Sequence, residues 1–299
     1  MSKFGLLLVR LLVCIGVLAL SACGSGEPEV KDLDTMVNIG THSLHIRCTG
    51  QGSPVVVIDT GVGDTSERWQ SFQTQVAQVT RVCTYDRAGY GSSEPGPLPR
   101  HSQRVAGELK QLLKNAGVGE PYVLVGHSLG GLNAQVFADR YPDLVAGLLL
   151  LDPAPLPFIT GQAFPELYRV LEQQAAELQQ MAEAARQSTD VEAQAQAGYL
   201  AAVASEQVAL ITESASQVAA IESFGDIPLV VIGSGKPNPA FGPDAEAFQQ
   251  FWIEQNRELA TKSTNGTFVL AQESSHYLHE DAPDVVLDAI RHIMEQARE

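Results

Sequence analysis

Basic residues are few: 19 lysines and arginines stand against 35 aspartates and glutamates, a formal net charge of −16 at pH 7. A surface of that sign repels phosphate backbones and anionic headgroups, so nucleic acid is excluded as an electrostatically recruited partner. The acids are spread without a block of one sign, which reads as a solvated face rather than a binding tail. Cysteine is scarcer still, at four in 299 residues. No cysteine or histidine pair keeps metal-ligand spacing, so no metal site is expected. The run Gly61-Val62-Gly63 lacks the remainder of a dinucleotide fingerprint, which leaves no nucleotide and no cofactor to assign. No internal repeat is present. The apolar run at 6–20 is broken by Arg10 and falls short of the roughly 20 residues a spanning helix needs.

That run has the grammar of a targeting segment: Lys3, the apolar stretch, then Leu20-Ser21-Ala22-Cys23, then the polar Gly24-Ser25-Gly26-Glu27-Pro28-Glu29. Leu-Ser-Ala-Cys at this place resembles the lipobox of bacterial lipoproteins. The resemblance implies a signal peptide over 1–22 and lipidation of Cys23. It also implies a tether over 23–35, a folded domain over 36–299, and residence on the periplasmic or extracellular face of the cell envelope, anchored to a membrane. Residues 1–22 carry Lys3 and Arg10 and no acid, so their loss leaves −18. Acyl chains on one cysteine would anchor firmly, since each buried methylene contributes about 0.8 kcal/mol. Cys14 departs with the signal and Cys23 is taken by lipid, leaving Cys48 and Cys83 as an even pair in an oxidising compartment. Spacing alone leaves two readings, a disulfide or two buried thiols.

From residue 42 strand-like and helix-like segments alternate, the pattern of an α/β fold with a mostly parallel central sheet flanked by helices. Strands are predicted over 42–48, 55–59, 81–86, 122–125, 147–151, 229–232 and 267–270. The run Tyr122-Val123-Leu124-Val125 is apolar without alternation, as in a strand buried on both faces. Helices are predicted around 69–79, from an N-cap at Ser102 to a stop at Gly117, and over 132–141. Residues 156–225, rich in alanine, glutamine and glutamate, read as a helical cap inserted over the sheet.

Chemistry concentrates at Gly126-His127-Ser128-Leu129-Gly130, directly after an apolar strand and before a helix-like run. A serine hydroxyl becomes a nucleophile when a base takes its proton and a tight turn thrusts it clear of the backbone. Together with Tyr85-Asp86-Arg87-Ala88-Gly89-Tyr90-Gly91-Ser92-Ser93 and Glu273-Ser274-Ser275-His276-Tyr277-Leu278, this segment resembles the α/β-hydrolase family, serine esterase-like members above all, from residue 42 onward. The resemblance implies Ser128 as nucleophile, His276 as general base, and a small-molecule ester or related acyl substrate. It disfavours epoxide and haloalkane chemistry, whose enzymes place Asp where Ser128 stands. The family's strand order sets the strands of Cys48 and Cys83 side by side, implying a disulfide.

His279 lies three residues past His276, and His42, His45, His101 and His292 read as surface or structural. His127 reads as packing or supporting the site. The acid departs from the commonest family pattern: after the strand that follows the cap comes Ser234-Gly235-Lys236, with no carboxylate. Asp152, at the end of the preceding strand, keeps the order serine, acid, histidine and is the expected acid, with Asp244 as the alternative. As oxyanion donors the expectation is the backbone N–H groups of Leu129 and Val62, although Thr60 stands where the family usually has histidine. Trp69 could line the pocket or the core. The missing acid and Thr60 also allow a second class of function, a lipid-anchored binding protein that has lost catalysis. A carbon–carbon or amide bond is a further possible target of the same residues.

Overall fold

The computed structural model describes residues 30–297; the expected signal peptide, Cys23 and most of the tether lie outside them. Eight strands form one sheet: β1 (Leu33–Asn38), β2 (Ser43–Thr49), β3 (Val55–Asp59), β4 (Val82–Tyr85), β5 (Tyr122–His127), β6 (Val145–Leu151), β7 (Leu229–Ser234) and β8 (Gly266–Ala271). Their order is β1-β2-β4-β3-β5-β6-β7-β8. β2 runs antiparallel to both β1 and β4, and every later pairing is parallel. The expected tether therefore ends sooner than residue 35, because Leu33 to Thr35 pair with Cys48 to Ile46. β1 escapes sequence reading because it is a mostly exposed edge strand with no apolar alternation.

The helices are α1 (Gln70–Val76), α2 (Ser102–Asn115), α3 (Leu129–Arg140), α4 (Leu156–Ile159), α5 (Pro165–Gln187), α6 (Val191–Leu210), α7 (Glu213–Ala219), α8 (Ala245–Ala260), α9 (Leu278–Asp281) and α10 (Pro283–Gln296). Residues α4 to α7 form the cap between β6 and β7. Period-two side-chain alternation splits the core in two. Leu124, Leu148 and Leu150 face one way, toward Leu112 and Leu132, while Val125, Leu149 and Leu151 face the other, toward Phe72, Val286 and Ile290. His101, rather than Ser102, caps α2: its ring accepts from the Arg104 N–H at 3.2 Å.

Cys48 and Cys83 sit directly opposite each other on β2 and β4, both fully buried, and a disulfide joins them. Between β3 and β5 the chain changes direction across the sheet. In an open parallel sheet that point leaves a crevice at the carboxyl ends of the strands, where the loops diverge.

Candidate active site

Two loops meet at this crevice. The first is the corner between β5 and α3, where Ser128 takes φ 53° and ψ −117°, a conformation costly for a side-chain-bearing residue. The corner closes this tightly because Gly126 and Gly130 lack side chains. A Cβ on Gly126 would come within 2.4 Å of the Gly130 carbonyl oxygen, and one on Gly130 within 2.1 Å of the Asp59 carbonyl oxygen. That second approach seats the other loop, 59–64 after β3, against the start of α3. Among the described residues the N–H groups of Val62 and Leu129 donate to no acceptor.

His276 follows β8 and has its Nδ1–H donated to Asp152 Oδ2 at 2.7 Å. Since a carboxylate can only accept, the imidazole carries its proton on Nδ1, leaving Nε2 as a bare lone pair. Asp152 ends β6, one strand from Ser128, whose N–H donates to the Leu151 carbonyl at 3.0 Å. It adopts φ 48°, a left-handed turn that Asp tolerates. Its other contacts come from β7: Ser234 N–H to Oδ1 and Ser234 Oγ–H to Oδ2, each 2.9 Å. Ser234 is held in turn by Gln249 of α8, whose Nε2–H donates to its carbonyl at 2.7 Å. The serine thus occupies the strand end where the family's acid more often stands and turns that place into support for Asp152. Asp244, the alternative acid, is exposed at the start of α8 and makes no bond to His276 among the described residues. No hydrogen bond joins Ser128 Oγ to His276 there, and such bonds commonly tighten only when substrate is bound.

The remaining histidines frame this trio. His127 is buried, and burial holds its imidazole well below the ordinary value, hence neutral. Its Nε2–H donates to the His276 backbone carbonyl at 2.9 Å, and the two rings lie 4.7 Å apart. His279 is buried and stacks face to face on Trp69 at 3.6 Å, which places Trp69 in the core rather than in a pocket. His42 and His45 bond Thr41 and Asp34 respectively. Edge-on to His276, at 6.3 Å, stands the indole of Trp252. Among the described residues no group of His, Cys, Asp and Glu side chains is arranged to hold a metal ion.

Ser234, Gln249 and Glu206 were not expected. Glu206 could have been noticed as a lone acid inside the apolar stretch of α6, and Ser234 as the polar end of a buried strand.

Comparison with known proteins gives the same architecture. The chain is 28% identical over 249 residues, 83% of its length and 86% of the other's, to Uncharacterized protein YqjL of Bacillus subtilis (strain 168). Its fold is similar to a thermophilic esterase from Thermogutta terrifontis, with TM-score 0.60, 20% identity, and coverage of 90% of this chain and 100% of that one. It is also similar to the epoxide hydrolase CorEH, with TM-score 0.57, 18% identity, and coverage of 89% and 99%. Residues 55–289 match the family described as Alpha/beta hydrolase family, and the chain belongs to that family.

Proposed function

We propose that the protein is a serine hydrolase that cleaves a carboxylic ester, or a related acyl bond, through an acyl-enzyme on Ser128. The observation that carries this reading is the His276 imidazole, locked by Asp152 into the tautomer with a bare Nε2, at the strand edge where Ser128 stands on its strained corner. His276 Nε2 takes the Ser128 proton as Oγ bonds to the acyl carbon, and Asp152 stabilises the resulting imidazolium. The new oxyanion accepts from the Val62 and Leu129 N–H groups, which have no competing partner among the described residues. Collapse breaks the carbon–oxygen bond, and the His276 proton leaves with the alcohol. Water then repeats the sequence on the acyl-enzyme, releasing the carboxylic acid and restoring Ser128.

The competing reading, a binding protein without catalysis, rests on the absence of a carboxylate after β7 and on Thr60 in place of histidine. The bond from His276 to Asp152 weighs against the first of these. A fluorophosphonate probe tests the proposal: the wild-type chain is expected to label, and Ser128→Ala to lose both labelling and nitrophenyl ester turnover. A Ser128→Ala variant that still turns over esters would overturn it. We further propose, on the lipobox-like Leu20-Ser21-Ala22-Cys23, that the enzyme resides on the periplasmic or extracellular face of the cell envelope, held by lipid on Cys23. A buried disulfide suits the oxidising conditions of such a compartment.

A further inference from the structure

Glu206 is fully buried near the C-terminal end of the cap helix α6, where an unpartnered carboxylate would be very costly. Its partner is Arg87, equally buried, whose five N–H groups are all engaged. Nε and Nη2 donate to the two Glu206 oxygens at 2.9 Å each. Nη1 donates to Asp59 Oδ1 at 2.8 Å and to the Thr60 carbonyl at 2.7 Å, and Nη2 to the Gly61 carbonyl at 2.8 Å. A two-pronged carboxylate–guanidinium contact of this kind fixes orientation as well as distance.

The last of these bonds bears on catalysis. The Gly61 carbonyl and the Val62 N–H belong to one planar trans peptide and point in opposite directions. Anchoring the oxygen on Arg87 therefore aims the N–H. Two further peptides of the loop are held through the same helix: Tyr199 Oη–H donates to the Gly63 carbonyl, in the Gly63–Asp64 peptide, at 3.0 Å. Tyr90 Oη accepts from the Gly63 N–H at 3.2 Å and donates to Glu206 at 2.6 Å. Tyr199 and Glu206 are seven residues apart, two turns along one side of α6. That side meets the 86–91 turn with no side chain between, since a Cβ on Gly89 would come within 2.7 Å of the Ala202 Cβ.

We propose that Glu206, Arg87 and Tyr199 are positioning residues for the oxyanion loop, so that seating of α6 sets the aim of the Val62 N–H. The proposal rests on the hydrolase reading above. Its test uses Glu206→Gln, Arg87→Lys and Tyr199→Phe in the full chain, with kcat counted per fluorophosphonate-titrated site. Glu206→Gln and Arg87→Lys are expected to lower kcat by about 10- to 100-fold, with KM changed by less than about 3-fold. The pH profile of kcat should keep its wild-type shape, because the base is untouched. Tyr199→Phe should shift kcat in the same direction by a smaller factor. A purely structural role would lower the melting temperature and leave kcat per site unchanged, which overturns the proposal. Should the buried variants fail to fold, Tyr199→Phe decides, since Tyr199 is 37% exposed; an unchanged kcat per site then overturns it. A wild-type chain that neither labels nor turns over esters sinks the hydrolase reading and this proposal with it. Turnover intact in all three variants sinks the proposal alone.

Discussion

At the scale of single residues, Asp152 draws its bonds from three directions: the His276 ring, the Ser234 hydroxyl and the Ser234 amide. Replacing it with asparagine keeps the shape but removes the charge and the tautomer preference, and kcat is expected to fall by about 10⁴-fold. Ser234→Ala removes one bond and leaves the amide, so a loss within about 10-fold is expected. Asp244→Ala should match the wild type. Steady-state kinetics on the three variants would check the assignment, and an Asp152→Asn enzyme of normal kcat would refute it. His279 offers a second test. Burial pushes its imidazole down to about 4. Above the ordinary value of about 6.5 the ring is neutral folded or unfolded and adds no pH dependence. As pH falls below that value the unfolded chain gains a proton that the folded one refuses, and stability drains away until about pH 4. Between pH 7 and pH 5 this amounts to about 2 kcal/mol. Thermal melts of His279→Phe, which keeps a ring against Trp69, should show a shallower acid loss; equal losses would refute the cause.

At the scale of elements, the disulfide between β2 and β4 closes 35 residues of sequence. By loop-entropy reasoning its removal should cost about 3–4 kcal/mol. A Cys48→Ala, Cys83→Ala double variant is expected to show a correspondingly lower urea midpoint, and an unchanged midpoint would contradict that. The elements also show what sequence can and cannot say. β5 and β6 were legible because continuous apolar runs bounded by turn residues mark strands covered on both faces, and the Gly-X-Ser-X-Gly corner between β5 and α3 is visible for the same reason. β1 was not, because an edge strand needs no apolar pattern. Ser128, His276 and Asp152 could be named from motif and chain order. The Ser234–Gln249 support behind Asp152 could not, since it depends on α8 crossing the end of β7, a contact that no periodicity encodes. The bond from Arg87 to Glu206 spans 119 positions and likewise exists only once the cap is seated.

At the scale of the whole molecule, a net charge of −16 opposes attraction to anionic membranes, so the proposed membrane residence would rest on the lipid on Cys23 and not on surface charge. Wild-type protein should stay with membranes through high-salt washing, and Cys23→Ser should appear in the soluble fraction. A variant retained like the wild type would count against lipidation.

The guanidinium–carboxylate clasp between the turn after β4 and α6 also constrains traffic. Lifting α6 to admit a substrate would strip a buried ion pair of its partner at every turnover, at several kcal/mol each time. Entry and exit are therefore expected to pass around α6 while it stays down. Substrate traffic in this enzyme is thus expected to leave the α6 ridge of its roof in place.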